Sequence, residues 1–223
     1  MKKIAITLTA GALAYGAWLL YQDSQEPSQD TTQDGGSFDS VGDTFSTAGQ
    51  GAATFFDSMT GGILKISDMA KVTTAHVASA NVQAFLRVIR TGEGTADAAG
   101  YRRIFGGQTF SSFSDHPRIK VTKGGYTSTA AGAYQALSST WDETRRVMGL
   151  SDFSPASQDL FAVGRIAARG ALDDVLMGRF EKAVRKCANE WASLPFSPYG
   201  QPTITFTRAE GVYQDAGGYV ATA

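Results

Sequence analysis

One carboxylic acid in this sequence stands where it can donate a proton. Val82, Phe85, Leu86 and Ile89 recur at the three- and four-residue steps of one helical face. At about 100° per residue, Glu93 falls on that same face, one turn beyond Ile89. Gly92 and Gly94 flank it, which loosens the helix end and leaves no side chain between the carboxyl group and a ligand. A carboxyl on an apolar face at an open end suits acid catalysis, because desolvation disfavours the anion and raises the pKa. The plain alternative is a helix-end Glu that fraying turns into solvent. Other reactive residue types are sparse. Cys187 is the single cysteine, so no intramolecular disulfide forms, and it reads as a small buried hydrophobe on a helix. His76 and His116 lie far apart in the chain and suggest no metal centre; neither a metal nor a cofactor is expected.

The elements that position Glu93 are read from the residues after it. Asn81 to Gly94 is a short amphipathic helix, and Thr95 to Ala131 is broken by turns at Gly106-Gly107, Asp115-His116-Pro117 and Lys123-Gly124-Gly125. Between those turns Arg118 to Thr122 alternates as a half-buried strand does, which predicts a small, irregular β-lobe. Ser138 or Ser139 caps a helix through Trp141 to Met148, with Gly149 just past its end. Ser154-Pro155 opens another that reaches Arg169 and stops at Gly170. A third runs from about Phe180 to Trp191, and Thr207 with Glu210 forms a capping-box pattern for a last helix that closes near Gly217-Gly218. The fold class expected is α+β, mostly helical with a small β insertion.

The 223 residues divide unevenly in charge. Residues 81–223 hold 16 Lys+Arg against 13 Asp+Glu, while residues 22–80 hold 2 against 8. A mildly basic unit behind an acidic segment suits an anionic polymer target, but the excess is too small for nucleic-acid binding. Met1-Lys2-Lys3 precedes an uncharged run from Ile4 to Tyr21, near the short end of what spans a bilayer as a helix. Residues 1–21 therefore read as a transmembrane anchor with its basic end in the cytoplasm and the bulk of the chain across the membrane. A cleaved signal peptide is the rival reading, since it shares the basic start and apolar stretch. Residues 22–51, rich in Ser, Gln, Asp, Thr and Gly, read as a flexible acidic tether. Residues 52–80 suggest short helices broken at Gly61-Gly62, a connector that packs on the folded unit, lies on a membrane or binds another protein.

Six stretches carry a resemblance: Glu93-Gly-Thr95, Phe113-Ser-Asp-His-Pro-Arg118, Ser128-Thr-Ala-Ala-Gly-Ala-Tyr-Gln135, Leu150 to Pro155 with Ser157-Gln-Asp159, Arg169-Gly-Ala-Leu172, and Trp191-Ala-Ser-Leu-Pro195 followed by Tyr199-Gly-Gln201. Any one is weak, but six in this order are specific. Together they resemble the lambda-type phage endolysins, lytic transglycosylases with a lysozyme-like fold, over roughly residues 81–218. The resemblance implies that Glu93 is the sole catalytic carboxylate and that Tyr134, Gln135, Tyr199 and Gln201 bind the substrate, the glycan strands of peptidoglycan. Two departures stand out. Ala133 replaces an Arg common before the Tyr-Gln pair, and Phe196-Ser197-Pro198 replaces a more Gly-rich loop.

A hydrolytic glycosidase needs two carboxylates, and Asp97 is the nearest second candidate, although its Gly/Ala-rich surroundings favour a solvated or turn-capping Asp. A transglycosylase needs only one. Tyr134 and Tyr199 offer sugar-stacking surfaces, whereas Trp191 in a helical pattern is assigned to the core. The expected function is a membrane-anchored, phage-type lytic transglycosylase that acts on the periplasmic side or in the virion, with residues 52–80 available to virion proteins. The alternatives are a catalytically silent wall-binding or virion structural protein, and a hydrolytic muramidase that uses Asp97.

Overall fold

The computed structural model describes residues 64–123 and 126–222. The anchor, the tether and the first part of the connector lie outside the described residues. Among the described residues no helix is long and apolar enough to cross a membrane. Helices α1 (Ile66–Met69) and α2 (Thr74–Val77) lead into α3 (Ala80–Gly92). A single 3-10 turn, Gly100–Arg102, and the hairpin of β1 (Val121–Lys123) and β2 (Tyr126–Ser128) follow. Then come α4 (Ser138–Met148), α5 (Pro155–Ala168), α6 (Leu172–Leu176), α7 (Phe180–Cys187) and α8 (Phe206–Asp215). The α+β architecture read from the sequence is present, with two antiparallel strands as its only named sheet among the described residues.

Helix α3 sits at the centre. Val82, Phe85, Leu86 and Ile89 are buried, and the helix packs against α8, α6, α5 and α2. Phe85 meets Phe180 edge-on at 6.1 Å, and Phe180 lies 4.6 Å from Tyr213. On the other side of the core, Trp141 packs edge-on against Phe153 at 4.8 Å. Burying side chains of this size contributes roughly 1.5–3 kcal/mol each, so the helix that delivers Glu93 is held along its whole apolar face.

Several boundaries differ from those read in the sequence, each for a local reason. The paired strand begins at Val121, not Arg118, because Arg118 takes a positive φ of 51° and forks onto Asp142 at 2.6 and 2.7 Å. Helix α4 has Leu137 at its N-cap, and the Ser138 N–H donates to the Thr129 hydroxyl at 3.2 Å. Helix α7 stops at Cys187, and beyond it the Glu190 N–H turns back onto the Cys187 carbonyl. Thr205, not Thr207, caps α8, accepting the Arg208 N–H at 3.2 Å. Ser154 caps α5 as read, with Pro155 in its first turn.

Of the three destinations open to the connector, residues 64–79 take the first. Met69 is fully buried, Val72 and Val77 pack on the core, and the Lys65 N–H donates to the Ala168 carbonyl at 2.8 Å. These contacts fasten α1 and α2 to α5.

Candidate active site

Glu93 caps the C-terminal end of α3, one residue past Gly92, and its neighbours form a left-handed helix stop. Gly94 has φ +68°, its N–H reaches the Thr91 carbonyl at 3.3 Å, and the Thr95 N–H reaches the Arg90 carbonyl at 2.8 Å. The Gly in Glu-Gly-Thr is needed because a Cβ is disfavoured in that conformation. Thr95 is fully buried, and its hydroxyl donates to the Ala133 carbonyl at 2.5 Å. This bond ties the end of α3 to the segment that carries Tyr134 and Gln135. The Arg90 guanidinium clamps the same loop from outside by donating to the carbonyls of Thr95 and Asp97, both at 3.0 Å.

The carboxyl group itself has one hydrogen-bond partner from far along the chain. The Ser193 hydroxyl donates to Glu93 Oε1 at 2.6 Å. Gly92 makes the approach feasible, since a Cβ at that position would stand 2.6 Å from the Ser193 oxygen. Burial pushes the Glu93 carboxyl up to about 7, while the Ser193 bond pulls it down. Glu93 is thus poised to hold a proton near neutrality and to give it up, the property a general acid and later base requires.

Asp97 has the opposite character. It is exposed, with Arg103 at 2.5 Å, and this bond holds its carboxyl below the ordinary range. Its carboxylate also accepts from the backbone N–H groups of Ala99 and Gly100, the turn-capping use that its surroundings suggest.

The remaining residues singled out in the sequence fall in two groups. Tyr134 is 3% exposed, and its hydroxyl donates to Asp159 at 2.6 Å, beside the Tyr101 hydroxyl on the same oxygen at 2.8 Å. Burial and Asp159 push the Tyr134 phenol well up. Its ring is part of the framework behind the Glu93 loop and shows a sugar almost no surface. Gln135 is partly buried at φ +47°, with its amide donating to the Gly132 carbonyl at 2.9 Å. Trp191 is in the core, its indole N–H on the Tyr134 carbonyl at 3.2 Å. Tyr199 is partly buried and donates its hydroxyl to the Asn189 carbonyl at 3.1 Å. Gln201 is 7% exposed, and both polar atoms of its amide are buried without a hydrogen-bond partner among the described residues. Leaving such a group unpaired costs about 1–3 kcal/mol, so the amide has hydrogen-bonding capacity to offer a polar partner. Tyr199 and Gln201 follow Ser193 in the connection between α7 and α8.

Sequence reasoning assigned no role to Ser193, Gln158 and Asp159, although they stand in the motifs, nor to Arg90. The Gln158 side chain is buried and takes the Ala133 N–H at 2.8 Å while it donates to the carbonyls of Phe153 and Tyr101. Only the motif Ser157-Gln-Asp159 pointed to that region, and nothing in the spacing pairs Ser193 with Glu93 across 100 positions.

A family model described as Endolysin matches residues 83–220, more than half of the chain. The chain belongs to the endolysin family. Among similar endolysins, that of Escherichia phage lambda is 42% identical over 145 residues, which cover 62% of this chain and 92% of the relative. That of Escherichia phage P2 is 41% identical over 157 residues, 63% of this chain and 95% of the relative. A solved structure of bacteriophage lambda lysozyme complexed with a chitohexasaccharide matches with a TM-score of 0.61 at 40% identity, covering 64% of this chain and 97% of that one. A second lambda lysozyme structure gives 0.56 at 37% identity over the same shares. The lysozyme-like fold expected of a lambda-type endolysin is therefore present. The family match starts inside α3, so α1 and α2 precede it in this endolysin.

Proposed function

We propose that the chain is a peptidoglycan lytic transglycosylase that cuts the bond between N-acetylmuramic acid and N-acetylglucosamine with Glu93 alone. The observation that carries this reading is the contrast between one shielded carboxyl near pKa 7, bonded only to a hydroxyl, and an exposed Asp97 bound to Arg103. Family membership and the likeness to a lysozyme bound to a chitohexasaccharide support a glycan substrate. In the first step Glu93 gives its proton to the glycosidic oxygen as that oxygen leaves C1 of N-acetylmuramic acid, and the sugar's acetamido group stabilises the cation that forms. Glu93, now an anion, then takes the proton of the C6 hydroxyl while O6 bonds to C1. The product is a 1,6-anhydro end, and the acid is regenerated. Gln135, Tyr199 and Gln201 orient the strand, the unpartnered Gln201 amide through hydrogen bonds to the sugar.

The muramidase alternative needs Asp97 to activate water on the opposite face of the sugar, and an Asp neutralised by Arg103 is a poor base for that work. Mass spectrometry of released muropeptides separates the two, since an anhydro end is one water lighter than a reducing end. Reducing ends that vanish in Asp97→Asn would make the enzyme a muramidase. A wall-binding protein without catalysis would release nothing in either case. The uncharged run at Ile4–Tyr21 supports membrane attachment with the enzyme on the periplasmic side, and the acidic segment after it supports a reaching, virion-associated role. Fractionation of infected cells and of purified virions tests that placement; recovery of the chain only as a free soluble protein would refute it.

A further inference from the structure

Phe196 lies three residues after Ser193, the hydroxyl that holds Glu93. Backbone geometry limits their separation to about 11 Å, and the Ser197 N–H bonded to the Leu194 carbonyl at 3.3 Å folds the chain tighter still. Phe196 remains 44% exposed at a φ of +69°, a conformation that favours glycine over any residue with a Cβ. The other two described non-glycine residues with positive φ have polar side chains that fasten them. Arg118 forks onto Asp142, and Gln135 bonds the Gly132 carbonyl. A phenyl ring has no such bond to make. It is braced instead, by the Arg185 guanidinium 3.7 Å from its centre and by Phe206 at 5.6 Å. Arg185 is fixed in turn by Glu181 on the same helix at 2.9 Å. The result is an aromatic ring held in place from α7 and α8, kept partly in solvent, in the loop that carries Ser193, Tyr199 and Gln201.

We propose that Phe196 is a substrate-stacking residue whose ring face opposite Arg185 packs against the apolar C–H face of a sugar in the bound glycan strand. An aromatic face is electron-rich and the axial C–H bonds of a pyranose are weakly positive, so the two surfaces attract as they exclude water. Strain at an exposed residue is better accounted for by binding than by packing, since burial of the ring would stabilise the fold more. Tyr134, which the sequence offered for stacking, is enclosed, and Phe196 takes over that role.

The proposal rests on the glycan-cleaving reading, and its test keeps the two apart. Wild type, Phe196→Gly and Phe196→Trp are compared as full-length chains, by kcat and KM on peptidoglycan, by Kd for chitohexaose and by Tm. Glycine takes the same backbone conformation without strain, so Phe196→Gly removes the ring and leaves the turn. The expected result is a rise of about three- to tenfold in Kd and KM with kcat and Tm retained, and wild-type values in Phe196→Trp. Unchanged Kd and KM in Phe196→Gly would overturn the proposal. So would parallel losses of kcat and Tm that tryptophan fails to restore, which mark a packing role. A wild-type chain that releases nothing from peptidoglycan would overturn the reading beneath it as well.

Discussion

Glu93 and Glu190 are two shielded carboxylates in one small domain, and they are driven in opposite directions. Burial raises both. At Glu93 the counterweight among the described residues is the Ser193 hydroxyl, and the carboxyl stays up at about 7. At Glu190 the guanidinium of Arg165 donates at 2.7 and 3.1 Å and that of Arg169 at 2.9 Å, and these cations outweigh burial and hold the group below its ordinary value. Desolvation alone therefore does not decide whether a buried carboxyl keeps its proton near neutrality. The nearby cations decide it, and four arginines are committed away from Glu93: Arg165 and Arg169 to Glu190, Arg103 to Asp97, Arg90 to backbone carbonyls.

The contrast breaks most visibly in Glu93→Gln. That variant should lose peptidoglycan-clearing activity by about 10²- to 10⁴-fold while remaining folded, as a zymogram beside a thermal melt would reveal. In the wild type, activity should fall as pH rises through about 7, where Glu93 loses its proton. Linkage gives the two carboxylates different stability windows. The raised Glu93 stabilises the fold fully below its ordinary 4.5, and that contribution is lost as pH rises through about 7. The lowered Glu190 stabilises it above the ordinary value and loses that contribution as pH falls through its lowered folded pKa. Denaturant melts between pH 4 and 8 should show the first slope in wild type and not in Glu93→Gln.

Next in size is Glu190→Gln, which leaves the buried Arg165 with only Glu143 at 2.8 Å. Urea unfolding should show a loss of about 3–5 kcal/mol. Ser193→Ala should be smaller: without the bond that lowers the Glu93 pKa, the alkaline limb of the activity profile moves up by about one pH unit. A limb that stays in place would mean the hydroxyl does not govern the acid. Asp97→Asn should do least, leaving both the rate and the anhydro product ends as they are, since Asp97 is an exposed partner of Arg103.

Periodicity made α3 legible because the burial of Val82, Phe85, Leu86 and Ile89 is a local consequence of helical repeat. Glu93 was legible for the same reason. The helix caps were readable only in part: Ser154 used its own side chain as its type suggests, but Ser138 gave its N–H to Thr129 from another loop. Tyr134 shows a further limit, since a Tyr in such a motif reads as a contact residue until Asp159 is found behind it. Ser193 was illegible because its role depends on the space left by Gly92 in a distant helix, and no pattern within one stretch of chain records such a fit.

The fastening of residues 64–79 has a mechanical consequence. The chain enters the described fold at the Lys65 bond to Ala168, with Met69 plugged in behind it. Within the described residues, a pull applied at residue 64 is therefore borne first by α1 and the end of α5, while α3 and the Glu93–Ser193 pair lie farther along the chain. A chain loaded at that point keeps Glu93 and Ser193 in register behind α1, and the element that takes the load first is one that the family match does not include.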